Sequence, residues 1–167
     1  MTEHEFFAAL EARAASDSAL RPSLRDSLAF PVGKHVDSFR YVEPLVIGLK
    51  GWRRDAHFLA AGLWALHDGH RNGKGPRISL GAAAAKQAAK TKSPGIERRL
   101  LALVDTDVEG MPSLLSHMVT LLKDWPLDFP ALLKGIQYWK DDDRNTQFGW
   151  LRDFYHHAKK ETKGGKQ

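Results

Sequence analysis

The residues best suited to chemistry sit at Leu66-His67-Asp68-Gly69-His70. An adjacent His-Asp pair at a helix end can ligate a metal ion that activates water for phosphoester hydrolysis. An upstream His35 or His57 and a downstream Asp105 or Asp107 are available to complete such a ligand set if the fold gathers them. The bland reading is that His67 packs at a helix C-terminus, where an imidazolium also meets the helix dipole favourably, and Asp68 begins a loop. Two other groups are weaker. His156-His157 point their rings about 100° apart on a helix, so they cannot chelate one ion as an i, i+4 pair does. Asp141-Asp142-Asp143 suits a helix start better than a magnesium site. No glycine-rich phosphate loop, nucleophile elbow or cysteine nucleophile is present.

The His-Asp pair resembles the motif of HD-domain phosphohydrolases, although the apolar residue that normally separates the Asp from the Gly is missing. The basic residues carry a different message. Arg53-Arg54 and Arg98-Arg99 fall on the polar sides of amphipathic segments, and Lys86 and Lys90 lie one turn apart on another. Arginine forks grip phosphate oxygens without reading bases, and lysine adds a mobile point charge, which suits sequence-independent strand binding. Taken singly, each of these cations is equally well a solvated surface residue. Five tryptophans and three tyrosines lie mostly beside apolar positions, so core packing is the expectation for them rather than base stacking.

Positioning these residues requires helices. Helical spacing dominates and no long stretch alternates with period two, so the chain reads as all-α, two packed helical lobes of bundle type with no significant sheet. The first helix runs from about Glu3 to Ala15 with Phe6, Phe7 and Leu10 inward. Pro22 and Pro31 bracket a less regular stretch, and a second helix is expected from Val36 to Leu49. After Gly51 comes the clearest amphipathic helix of the first half, with Ala56, Leu59, Ala60, Leu63 and Leu66 inward. A glycine-rich loop at 70–77 follows, and then Ser79 capping an alanine-rich helix. Ser93-Pro94-Gly95 divides lobes at 1–92 and 93–160. Beyond it, Ile96, Leu100, Leu103 and Val104 form a buried stripe that leaves Arg98 facing solvent, and Pro112 and Pro126 bound the next helix. A helix from Asp128 to Trp139 precedes a last one expected to bury Phe148, Leu151, Tyr155 and Ala158. The polar tail 161–167 reads as disordered.

The 167 residues suffice for one compact unit or two small lobes. Lys+Arg 25 against Asp+Glu 20 gives a net charge of +5, a balance that favours polyanionic partners. Absence of cysteine excludes disulfide and thiolate chemistry. With no signal peptide and no apolar span of about 20 residues, a cytoplasmic protein without membrane contact is expected.

The order of short motifs carries a resemblance. Leu24-Arg25, Tyr41-Val42-Glu43-Pro44, Leu63-Trp64-Ala65-Leu66-His67, Ile78-Ser79-Leu80-Gly81 and Ile96-Glu97-Arg98-Arg99 come first. Leu101 to Asp107, Met111-Pro112, Leu121-Leu122, Leu132-Leu133, Tyr138-Trp139 and Trp150-Leu151-Arg152-Asp153-Phe154-Tyr155 follow. Over roughly residues 20 to 156 this pattern resembles the CasB family, the helical small subunit of the type I-E CRISPR Cascade complex. The resemblance implies a non-catalytic subunit without cofactor or metal, present in two copies and touching the backbone and large subunits. It implies binding of crRNA and target DNA, steadying the heteroduplex and the displaced strand of the R-loop in antiviral defence. Arg25, Arg98, Arg99 and Arg152 match motif positions; Arg53, Arg54, Lys86, Lys90 and Arg144 rest on charge and helix face. Arginines expected of the family near the alanine run, in the Leu114 helix and before Trp150 are replaced by Ala82, Ser116 and Phe148-Gly149.

Overall fold

The computed structural model describes residues 1–67 and 76–165, with side chains through 159. The expected loop at 70–77 lies outside the described residues except for Pro76 and Arg77. Among the described residues there are nine α-helices and no strand, as the periodicity requires. They are α1 Glu3–Ala14, α2 Leu20–Asp26, α3 Phe39–Val42, α4 Gly51–Leu66, α5 Leu80–Thr91, α6 Gly95–Asp105, α7 Met111–Leu121, α8 Phe129–Gln137 and α9 Asn145–Gly165. Two compact units result, Met1–Asp68 with Phe129–Gln137, and Gly69–Asp128 with Tyr138–Gln167. The division therefore falls elsewhere than at 92/93. The helix 80–91 belongs with the second unit, and α8 returns to the first, because side chains far apart in sequence complete each core.

In the first unit Thr2 caps α1, its hydroxyl accepting from the Glu5 amide at 3.1 Å, and Phe6, Phe7 and Leu10 are buried. Phe7 meets Trp64 and Phe129 with ring centroids 6.5 and 5.9 Å apart. Pro22 is the third residue of α2, where its missing N–H is one of the groups a helix start leaves unpaired, so the helix tolerates it. Gly62 lets α4 approach α2: a Cβ there would stand 2.7 Å from a Leu28 methyl and 3.1 Å from the Leu24 carbonyl oxygen.

The helix expected over 36–49 is broken. Two 3₁₀ turns, Val36–Ser38 and Glu43–Leu45, flank the single turn of α3. Pro44 has no N–H to offer the Arg40 carbonyl, and Gly48, with φ of 88°, turns the chain toward α4.

In the second unit Ser79 caps α5 as expected, accepting from the Ala82 amide at 3.1 Å. The same hydroxyl donates to Asp153 of α9 at 2.7 Å. The small residues of α5 now have a reason. Gly81 lies so close to α9 that a Cβ would come 2.1 Å from the Trp150 carbonyl oxygen. Ile78 and Leu127 form one isolated parallel bridge, in which Ile78 N–H donates to Pro126 O at 2.8 Å and Asp128 N–H to Ile78 O at 2.9 Å.

The inward face of α9 differs from the expected stripe by one residue position. Gln147, Trp150 and Phe154 are buried, whereas Phe148 and Tyr155 are 48% and 46% exposed. Leu151 and Ala158 are half-buried. Gln147 donates to the Trp139 carbonyl at 3.0 Å, so an amide occupies a place the apolar pattern assigned elsewhere. The α9 backbone continues to Gly165, through most of the tail expected to be disordered; residues 166 and 167 lie outside the described residues.

Candidate nucleic-acid interface

In the first unit, Arg25 is exposed near the end of α2 and makes no ion pair among the described residues. Arg53 is exposed on α4, with Nε donating to Gln137 Oε1 at 3.3 Å. Arg54 is different. It pairs with Glu43 at 2.8 Å and Asp55 at 3.1 Å, and its guanidinium lies over the rings of Phe39 and Phe58 at 5.2 and 4.6 Å. Its fork is engaged within the protein, and the residue ties the irregular 36–45 segment to α4.

In the second unit, Lys86 is half-buried with Nζ 5.9 Å from the Trp125 ring centroid. Lys90 is exposed and pairs with Asp124 at 3.3 Å, a solvated contact that phosphate can displace at little cost. Arg144 is likewise engaged within the fold. It is half-buried at φ of 53° just before α9, and its guanidinium donates to the Val104 carbonyl near the end of α6. That arrangement satisfies one of the carbonyls a helix end leaves open.

Arg98, Arg99 and Arg152 are exposed, and none makes an ion pair among the described residues. The stripe Ile96, Leu100, Leu103 and Val104 is buried, which places Arg98 outward as the pattern requires. Arg99 folds back over Gly95, with Nη1 2.8 Å from where a Cβ would stand. Of the cations singled out from sequence, Arg25, Arg53, Lys90, Arg98, Arg99 and Arg152 are exposed.

The positions where family arginines were missing also sort themselves. Ala82 is buried at 3% exposure, so no surface cation is lost there; Ser116 and Gly149 are half-buried, and only Phe148 is properly exposed. Lys92, exposed at the left-handed C-cap of α5 with φ of 56°, was not singled out from sequence. A lysine before Ser-Pro looks like any solvated charge until the backbone turns it outward.

The hydrolase reading finds little footing. His67 is 1% exposed, with its ring 5.4 Å from that of Phe129 in an edge contact, and Asp68 lies outside the described residues. His57 is also buried; its Nδ1–H donates to the Arg53 carbonyl at 2.7 Å, and its ring meets Phe6 edge-on at 5.0 Å. Burial, partly opposed by that hydrogen bond, holds its pKa below the ordinary 6.5. His35 packs on Phe30 at 4.8 Å. Among the described residues no three His, Asp or Glu side chains come together as a metal-ligand set. Asp141, Asp142 and Asp143 are exposed, and Asp143 accepts from the Asn145 amide at 3.2 Å, a helix-start role. Of the tryptophans, Trp64, Trp139 and Trp150 are core residues. No described helix is long and apolar enough to cross a membrane.

These features define an all-helical fold of the described residues in which uncommitted arginines stand on exposed helix faces and His57 and His67 serve the core. The model of the CRISPR-associated protein Cse2 family matches residues 21–155, and the chain belongs to that family. A CRISPR-associated protein Cse2 of Thermus thermophilus is 36% identical over 143 residues, which are 83% of this chain and 79% of the relative. CasB of M. ruber superposes with a TM-score of 0.83 at 29% identity, covering 96% of each chain. A chain of a CRISPR RNA-guided surveillance complex reaches the same TM-score at 17% identity, covering 98% of this chain and 96% of that one; this last likeness is one of fold. The CasB resemblance carried by the motifs is thereby confirmed.

Proposed function

We propose that this chain is the non-catalytic small subunit of a type I-E CRISPR RNA-guided surveillance complex, the Cascade assembly, working in the cytoplasm. In this reading two copies sit beside the crRNA-bearing backbone subunits and the large subunit. Their exposed cations hold phosphates of the crRNA–target heteroduplex and of the displaced DNA strand. Forming an R-loop exchanges one duplex for another of similar stability, so a few backbone contacts suffice to tip it. The observation that carries the proposal is Arg98-Arg99, on a Cse2-family chain, exposed and without an ion pair among the described residues. Arg25 and Arg152 add motif-matched cations, and Arg53 and Lys90 add charge that phosphate can reach. The burial of His57 and His67 supports a scaffold rather than a hydrolase.

The test is recovery of the tagged protein from its native host at low salt. Several larger proteins and one class of short, repeat-containing RNA should accompany it. A lone, RNA-free protein would refute the proposal.

A further inference from the structure

Phe148, Arg152, Tyr155 and Lys159 follow one another on α9 at spacings of four, three and four residues, which places them within a sector of about 60° on the helix. All four are exposed, and neither cation makes an ion pair among the described residues. The opposite side buries Gln147, Trp150 and Phe154. Asp153 lies off the stripe and accepts from Ser79. A single exposed aromatic residue would mean little. Here two rings alternate with two cations along one line; Tyr155 meets the buried Phe154 edge-on at 5.0 Å yet is still 46% exposed, and Phe148 is 48% exposed.

We infer that this face of α9 is a site for unpaired nucleotides, with bases stacking on Phe148 and Tyr155 and phosphates held by Arg152 and Lys159. Aromatic faces accept any base, and interleaved cations track the strand, which is how sequence-tolerant single-strand sites are built. The seven residue steps from Phe148 to Tyr155 rise about 10.5 Å, on the order of three nucleotide steps of about 3.4 Å. Arg152 falls between the rings, at the level of the intervening phosphates. Glu97 of α6 lies near Tyr155; partial burial first, and that carboxylate second, raise the pKa of the hydroxyl, so the ring stays neutral. A protein partner is the weaker occupant, because the two rings are separated by charge and form no continuous apolar patch. The inference rests on the nucleic-acid reading above and goes past it: backbone contacts treat paired and unpaired strands alike, whereas this face requires open bases.

The experiment is binding of the full chain to a labelled oligothymidylate and to a duplex of equal length, by fluorescence anisotropy over a salt series. Phe148→Ala with Tyr155→Ala should weaken single-strand binding about 5-fold or more for each stack lost. The salt slope should stay unchanged, because no phosphate contact is removed, and duplex binding should not move. Phe148→Trp with Tyr155→Trp should restore affinity. Unchanged single-strand affinity, or an equal loss on duplex, overturns the inference. So does unchanged affinity with loss of a co-purifying protein subunit, which would make the face a protein contact. A wild-type chain that binds no strand removes the nucleic-acid reading as well, whereas a binding wild type with a silent double variant removes only the stacking site.

Discussion

Replacing Arg98 and Arg99 with alanine removes two cations that hold no partner in the described fold. Because both are exposed on α6, the double variant should keep its folding stability within about 0.5 kcal/mol. Its effect belongs to binding. Each phosphate contact contributes about 0.9 to the log–log salt slope on duplex and about 0.7 on a single strand. Losing two should flatten the slope by about 1.4 to 1.8. Between 50 and 200 mM salt the affinity gap between wild type and variant should then shrink by about 7- to 12-fold. The assay is R-loop binding by the reconstituted complex, with labelled target DNA titrated at four or more salt concentrations. An unchanged slope in a complex that still binds would refute the assignment of these arginines to phosphate. A lowered melting temperature would show instead that they serve the fold.

Arg54→Ala should do the reverse, costing about 1–3 kcal/mol through its lost ion pairs and ring contacts; urea denaturation should show the loss and the salt slope should not move. Gly81→Ala forces a methyl group against the Trp150 backbone and should destabilise the protein by about 1–3 kcal/mol, visible as a lower urea midpoint; an unshifted midpoint would mean that α5 and α9 separate freely. His57, with its folded pKa below 6.5, binds a proton more readily in the unfolded chain. Its contribution is thus fully present above pH 6.5 and is lost as pH falls through that value toward the folded pKa. His57→Gln should diminish the drop in the urea midpoint between pH 7 and pH 5, and an identical pH profile in the variant would refute this.

The all-α class was legible because apolar spacing near 3.6 residues recurs through the chain. The ends of several helices were legible because Ser79, Pro94, Gly95 and Pro112 act locally. The family was legible from the order of its motifs, and Arg98 from the opposing stripe Ile96, Leu100, Leu103 and Val104. Each of these rests on interactions within a few residues. What remained was decided by packing between distant segments. Sequence could not show that α8 completes the first unit and α5 the second, since that depends on which faces meet. Arg54 and Arg144 look like Arg98 in a string of letters. Only the approach of Glu43, Asp55, Phe39 and Phe58 to one, and of the Val104 carbonyl to the other, turns their forks inward. On α9 two apolar stripes lie about 100° apart, and periodicity cannot choose between them. The close contact at Gly81 and the hydrogen bond from Gln147 to Trp139 select the stripe through Trp150 and Phe154, and that choice leaves Phe148 and Tyr155 in the solvent.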